Sequence, residues 1–376
     1  MHSVIYHLII TLCHILPIKK KKIFLMSYYG SQYGCNPKYL SEYIVKNHPE
    51  WEVVWGFTKP QDHNITGIKK VRYLSLRYFY ELCTSQVFVT NYRMTELYRK
   101  RKGQLYIQTW HSSLRLKMIE GDAEQTLPPH YVQMAKRDSK QTDILLSGCA
   151  FSTEIFKRAF WYNGEIAPTG TPREDLMFAN DEKLKQSIRK KLGIDHDERL
   201  LLYAPTFRKN NSLLYYDINF KQLLSALESR GSRWKVLLRL HPHLREYSQQ
   251  LVGNDPDIID TTAFDDIQEL LYVADMVISD YSSLIFDFAL TRRPCLLYVP
   301  DLEEYTSKDR QLYFDIIQLP FPICKSNREL QQVINGFDQA KYQTAVDIFL
   351  AGIGSYETGH SCENVMKLIN NKINER

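Results

Sequence analysis

The chain reads as an α/β protein of two doubly wound, Rossmann-like domains facing each other across a cleft. Three observations predict this. Short apolar runs alternate with stretches of helical pattern, which is how parallel βαβ units are written in sequence. The alternation pauses at Pro168-Thr-Gly170-Thr-Pro172, a turn-rich stretch suited to a linker. A length of 376 residues gives each half the size of an ordinary domain, with ample core.

In the first half, Ile23-Phe-Leu-Met-Ser27-Tyr28 reads as a buried strand. A polar loop through Gly30 and Gly34 follows. A helix then runs from Pro37 to Asn47, with proline in the first turn as its start signal. Further strands are Glu52–Phe57, Gln86–Thr90, Leu105–Thr109 and Asp143–Ser147, with a helical pattern over 75–84. Beyond the pause, a charged helix over 181–192 leads into strands at Leu200–Ala204, Lys235–Arg239, Asp257–Asp260, Met276–Ser279 and Cys295–Val299. The last helix, over 361–374, is a candidate to return to the first domain.

Hydrophobic residues make up 44% of the chain and charged residues 24%, which marks a folded chain rather than a disordered one. The net charge of +5 and pI near 8.6 favour anionic partners only weakly. The basic residues cluster as Lys19–Lys22 and as Arg93, Arg99, Lys100, Arg101 and Lys102. Neither block has the glycine and aromatic interleaving of a nucleic-acid module, so no nucleic-acid partner is expected. Solvated surface and contact with anionic lipid head groups are the two readings.

Residues 3–18 are largely apolar, yet shorter than the ~20 residues of a spanning helix. The lysines follow this run instead of preceding it, which argues against a signal peptide. An interfacial helix held at an anionic membrane surface by the lysine block is expected; the alternative is a helix packed on the protein's own core. Seven scattered cysteines (13, 35, 83, 149, 295, 324 and 362) form no CxxC pair, which favours a reducing, cytoplasmic compartment over a disulfide framework or a zinc site.

In doubly wound sheets, ligands bind at the carboxyl ends of the strands. The polar motifs fall there. Asp280-Tyr-Ser282-Ser283 follows an apolar strand and opens a helical pattern. Unpaired amides at such a corner suit a phosphate. Asp287 lies one turn further on, able to share a ligand with Ser283 or to be a helix-face carboxylate. Tyr203-Ala-Pro-Thr206-Phe-Arg208 and Arg239-Leu-His241-Pro242-His243 follow two more strands. Arg208, Arg239 and His241 offer donors and positive charge to a diphosphate. Thr109-Trp-His111-Ser112-Ser113 follows a strand of the first half and puts His111 where a general base belongs. Asp301, Glu303 and Glu304 are an exposed acidic loop, or contacts for hydroxyls or a cation. No metal site is assigned: Pro242 separates His241 from His243 and no third ligand lies near. GxxxxGK[ST] and a GxGxxG after the first strand are both missing, which excludes a P-loop NTPase and disfavours a nicotinamide enzyme.

Taken together, Thr109-Trp-His111, Tyr203–Arg208, Arg239–Pro242 and Ser279–Phe288 resemble the CDP-glycerol glycerophosphotransferases of teichoic-acid and capsule synthesis. Asn36-Pro-Lys-Tyr39, Gly164-Glu-Ile, Gly170-Thr-Pro-Arg173 and Asp301-Leu-Glu-Glu-Tyr305 match as well. The resemblance implies a GT-B type fold attached peripherally to the cytoplasmic face of the cell membrane. It implies transfer of glycerol phosphate from CDP-glycerol to a hydroxyl of a lipid-linked or polymeric glycan, with release of CMP. His111 matches the base, and His241, Ser282, Ser283 and Asp287 match the donor side, joined by Thr206, Arg208 and Arg239. Asp280, Glu303 and Glu304 are candidates for the donor's hydroxyls.

The implied organisation is a membrane-associating segment over 1–22, an acceptor domain over 23–170, a donor domain over 171–358 and a closing helix over 359–376. Two departures stand out. Ser112-Ser113 replaces the family's frequent Gly-Thr, and Gly359-His360-Ser361 lacks the basic residue often found after that glycine. The chain resembles the shorter family members. CDP-ribitol as donor, a nucleotide-sugar glycosyltransferase and an inactive scaffold are the rival readings. The sequence names no cofactor and sets neither a divalent-cation requirement nor an oligomeric state.

Overall fold

The computed structural model describes residues 2–195, 197–208, 213–229, 231–241, 244–253, 255–308 and 311–375. The chain forms two compact units. Unit 1 takes the chain up to Ser113, Ile119–Asp175 and everything from Ser355; unit 2 takes Leu114–Met118 and Leu176–Gly354.

Unit 1 opens with α1 (His2–Cys13), β1 (Lys19–Met26), α2 (Cys35–Asn47), β2 (Glu52–Phe57), β3 (Lys69–Arg72), α3 (Leu76–Thr84), β4 (Ser85–Thr90) and β5 (Leu105–Gln108). It continues with α4 (Pro129–Gln141), β6 (Ile144–Leu146), α5 (Ala150–Ala159) and β7 (Glu165–Ala167). The seven strands pair in parallel in the order β3-β2-β1-β4-β5-β6-β7. Successive side chains of a strand point to opposite faces. Ile23 and Leu25 therefore join Leu40 and Ile44 of α2, while Phe24 and Met26 join Phe79 of α3 and Ile10 of α1. All four β1 residues are fully buried, each worth about 1.5–3 kcal/mol.

Unit 2 follows with α6 (Asp175–Phe178, whose first residue still belongs to unit 1), α7 (Glu182–Leu192), β8 (Arg199–Tyr203), α8 (Phe220–Glu228), β9 (Trp234–Leu238), α9 (Arg245–Val252) and β10 (Ile258–Asp260). Next come α10 (Ile267–Val273), β11 (Met276–Ser279), α11 (Leu284–Ala289), β12 (Cys295–Tyr298), α12 (Leu302–Lys308), β13 (Ile323–Cys324), α13 (Asn327–Asn335) and α14 (Gln339–Gly352). The order is β10-β9-β8-β11-β12-β13, again all parallel. The closing helix α15 (Ser361–Asn374) packs Val365, Met366 and Ile369 into the core of unit 1. The expected class, two doubly wound parallel α/β sheets, is the one found.

Three edge strands go unread in the sequence. β3 is Lys-Lys-Val-Arg with Val71 alone fully buried, and β7 and β13 have three and two residues. Edge strands need no apolar run, because one side faces solvent.

The basic blocks differ from expectation. β1 begins at Lys19, and Lys22 turns inward, paired with Glu81 and bonded to Thr84 Oγ1 at 2.8 Å. Burial alone would raise the Glu81 pKa, but Lys22 and Lys69 beside it hold it below the usual carboxylate range. Arg93 is buried against Glu120 and Asp138, at 3.0 and 3.3 Å. Arg101 caps the carbonyls of Cys83 and His14. Neither block is wholly a surface patch, because unpaired charge inside a core is too costly to leave without partners. Helix α1 packs on unit 1 along one face only. Tyr6, Ile9 and Ile10 pack on unit 1, while Val4 (74% exposed), Ile5, Leu8 (61%) and Leu12 stay open to solvent. Among the described residues, no helix is long and apolar enough to cross a membrane.

Candidate active site

In each sheet the strand order reverses once, between β1 and β4 in unit 1 and between β8 and β11 in unit 2. The loops leaving such a pair diverge and open a crevice at the carboxyl ends.

At the unit 2 reversal, Asp280 ties the two loops together. Its Oδ1 accepts the N–H of Thr206, after β8, at 2.8 Å and that of Tyr281, after β11, at 2.6 Å. Arg208 adds the loop after β12: it meets Asp301 at 2.7 Å and Asp280 at 2.9 Å, and its Nη1 donates to Thr206 O at 2.6 Å. Burial opposes the Arg208 charge, but the two carboxylates outweigh it and raise its pKa. The guanidinium lies over Tyr281 and Tyr305, whose rings stack at 3.6 Å. Every Arg208 nitrogen is thus engaged inside the scaffold, and Asp280 is as well. Both spend their hydrogen bonds on the protein's own loops.

What this frame leaves open is more telling. Thr206 Oγ1 has no hydrogen-bond partner among the described residues. The same holds for the backbone N–H groups of Ser282 and Ser283. Ser283 Oγ is occupied, accepting the Leu116 N–H at 3.2 Å, and Ser282 Oγ accepts the Leu284 N–H at 3.5 Å. A buried hydroxyl and two amides at a strand-order reversal are groups of the kind that bind an anion.

The remaining expected residues divide. His241 is exposed at the end of β9, its ring 5.0 Å from that of Phe207 in the loop after β8. Pro242 and His243 lie outside the described residues. Arg239 Nη1 donates to the carbonyls of Thr261, Thr262 and Phe264, so it braces the loop after β10. Asp287 is 2% exposed and its Oδ2 receives Gln268 Nε2 at 3.0 Å, which fastens α11 to α10. The acidic run expected as a loop is the first turn of α12, where Glu303 and Glu304 are exposed and Glu304 accepts the Tyr215 hydroxyl at 2.7 Å. Carboxylates suit that end of a helix.

In unit 1, His111 is exposed just after β5. Its Nδ1 lies 3.3 Å from the Asn91 carbonyl, at the end of β4. A carbonyl only accepts, so this contact places the proton on Nδ1. Asn91 also accepts the Tyr28 N–H, at the end of β1, at 3.0 Å. The loop is strained: Trp110 has φ +52°, a left-handed conformation costly for an aromatic residue. It is held by Gln108, which accepts the Trp110 N–H at 2.9 Å, and by Asn36 Nδ2, which donates to Trp110 O at 3.1 Å. Asn36 Oδ1 in turn accepts the Arg173 N–H at 3.0 Å, so the Asn36 and Arg173 motifs are two halves of one clasp. Asn91, Gln108 and Glu357 escaped the sequence reading; Asn36 and Arg173 appeared in it only as motif matches. Among the described residues, no cluster of three His, Cys, Asp or Glu side chains forms a metal site.

Residues 8–371 match the family described as CDP-glycerol:poly(glycerophosphate) glycerophosphotransferase. The teichoic acid poly(glycerol phosphate) polymerase of Bacillus subtilis (strain 168) is 33% identical over 94% of this chain and 49% of its own length. The chain thus spans about half of that relative. The protein of the same name from Bacillus spizizenii is 31% identical over 96% of this chain and 95% of its own length. The solved structure of the wall teichoic acid polymerase TagF matches with a TM-score of 0.86 and 29% identity, covering 98% of this chain and 94% of that one. That likeness supports the GT-B type fold expected from the sequence. The chain belongs to the CDP-glycerol:poly(glycerophosphate) glycerophosphotransferase family.

Proposed function

We propose that this chain transfers glycerol phosphate from CDP-glycerol to a hydroxyl of a membrane-linked or cell-surface teichoic-acid or glycan acceptor, releasing CMP. The observation that carries this reading is the unpartnered set at the unit 2 reversal, Thr206 Oγ1 with the Ser282 and Ser283 amides, in a chain of this family. These groups receive the diphosphate, and His241 approaches it from the neighbouring loop. Arg208, Asp280 and Arg239 act from behind, holding the loops in place. The Nε2 of His111 takes the acceptor's proton. The acceptor oxygen bonds to the β-phosphorus that bears glycerol, the bond to the bridging oxygen breaks, and CMP leaves with the electron pair. The protein's contribution is positioning and charge stabilisation.

The site of action in this reading is the cytoplasmic face of the membrane. The open apolar face of α1, with exposed Lys19, Lys20 and Lys21 just beyond it, suits an anionic bilayer surface.

The test is a donor screen with a lipid-linked glycan acceptor, read by nucleotide release and product mass. CMP release from CDP-glycerol, with a product heavier by one glycerol phosphate, supports the reading. Turnover of CDP-ribitol alone changes the donor. Release of a nucleoside diphosphate from a UDP-sugar, with CDP-glycerol inert, overturns it.

A further inference from the structure

A buried carboxylate that no reading of the reaction uses sits at the point where the chain re-enters unit 1. Glu357 is 8% exposed and has no cationic partner among the described residues; hydrogen-bond donors surround it instead. The Thr171 N–H reaches its two oxygens at 3.1 and 3.0 Å, Thr171 Oγ1 donates at 2.8 Å, and Ser361 Oγ at 3.2 Å. The Ser113 hydroxyl completes the set. Thr171, Ser361 and Ser113 come from three distant parts of the chain. Ser113 and Ser355 are the points at which unit 1 gives way to unit 2 and resumes, and Thr171 lies shortly before a third such point at Asp175.

The niche is built for this group. A Cβ on Gly148 would fall 2.3 Å from Glu357 Oε1 and 1.9 Å from Ser113 Oγ. On Gly170, at φ +74°, it would fall 2.8 Å from Oε2 and 2.3 Å from Ser361 Oγ. Two glycines therefore leave room for the carboxylate and its partners, and backbone bonds fix them: Tyr356 N–H to Gly148 O at 2.8 Å and Gly170 N–H to Ser147 O at 3.2 Å.

We propose that Glu357 is a positioning residue for His111, acting through Ser113. Ser113 lies two residues beyond His111 and is held at both ends, its hydroxyl by Glu357 and its carbonyl by Ser152 Oγ at 2.6 Å. Upstream, Asn36 and Gln108 grip Trp110. The strained loop is thus fastened on either side of the histidine, and the downstream fastening depends on the Glu357 carboxyl oxygens, which accept the Thr171, Ser361 and Ser113 donors. Burial, joined by the nearby charge of Asp175, pushes the Glu357 pKa up to about 7 against the pull of the Thr171 and Ser113 donors. The other titratable groups on the surrounding segments include Tyr356, the Arg173–Glu174 ion pair, the His360–Glu363 pair and Cys362 at the start of α15, Cys149 beside Gly148, and His111 itself.

This role rests on the glycerophosphotransferase reading, and the test separates the two. E357Q keeps the side chain's size but turns an acceptor into a donor among donors; S113A removes the link and spares the carboxylate. Both are assayed by melting temperature, CDP-glycerol affinity, kcat and KM, and by the NMR signals of the His111 ring. The expected result is a fall in kcat of about 10- to 100-fold in each folded variant, with KM for CDP-glycerol within about twofold and a shifted His111 ring signal. A folded variant of either kind with full kcat overturns the proposal. So does a joint loss of kcat, donor affinity and melting temperature, which marks a merely structural role. If the wild type releases no CMP from CDP-glycerol, the function falls, and the His111 signals still judge the positioning role: identical signals in E357Q and wild type overturn it.

Discussion

The backbone N–H of Leu116 donates to Ser283 Oγ at 3.2 Å. Leu116 lies five positions after His111 in the chain, in a short segment that also pairs with the 311–313 stretch of unit 2 through Met118 N–H to Gln311 O and Tyr313 N–H to Leu116 O. The serine at the head of α11 therefore holds a protein amide, and its own amide is what remains for an anion. Ser283→Ala is expected to speed hydrogen exchange at the Leu116 amide and to cost about 1 kcal/mol of stability. Ser282→Ala, whose hydroxyl makes only the 3.5 Å contact to Leu284, is expected to leave Leu116 exchange unchanged. Equal exchange at Leu116 in wild type and Ser283→Ala would show that this bond holds nothing.

His111→Ala is expected to lower turnover about 100- to 10,000-fold, the range of a lost general base. The CDP-glycerol dissociation constant should hold, because the groups assigned to the donor are elsewhere. Near-normal turnover in a folded variant removes His111 from the mechanism.

Arg208→Met leaves Asp280 and Asp301 buried without their cation. The expected loss is about 3–5 kcal/mol, read as a lower urea midpoint. A phosphate-gripping arginine would instead lose donor affinity with little change in stability, so the two measurements together decide between an inner brace and a ligand contact.

Much of this was legible in the sequence. Strands such as Ile23–Met26 and Leu200–Tyr203 are buried on both faces, so their apolar runs are unbroken and easy to read. The strand-end motifs were legible for the same reason, since each follows such a run. Roles were harder. Arg208 and Asp280 look alike in sequence whether they meet a ligand or each other; only the 2.9 Å separation decides. Glu357 gave no signal, because its partners Ser113 and Thr171 are far away in the chain and become neighbours only through the fold. Trp110 hid its strain too: nothing in Thr109-Trp-His111 announces a positive φ.

The open face of α1 leads to a membrane prediction. Leu8→Glu places a charge among Val4, Ile5 and Leu12, on the side away from the Ile10 contact with unit 1. Binding to vesicles rich in anionic lipid is expected to fall at least about tenfold, as loss of one buried leucine plus a repelled carboxylate implies. The melting temperature should stay within about 2 °C, since Leu8 touches solvent. Unchanged vesicle binding would remove α1 as the docking element.

Glu357 also predicts how stability responds to pH. Its pKa in the folded protein, about 7, lies above the ordinary glutamate value, so folding favours the neutral form. A group raised in this way lends its stability below its unfolded pKa and withdraws it as pH climbs through the folded value. From pH 5 to pH 8 the wild type should therefore lose roughly 3 kcal/mol through this residue alone. E357Q cannot ionise and escapes that loss. Urea midpoints of both proteins at pH 5, 6, 7 and 8 measure the gap, in which titrating groups that do not interact with Glu357 cancel. The gap should move in favour of E357Q as pH rises, with most of the change between pH 5 and pH 7 and little beyond. A gap that stays constant across the range means that Glu357 is already ionised at pH 5, and that the donors around it outweigh its burial.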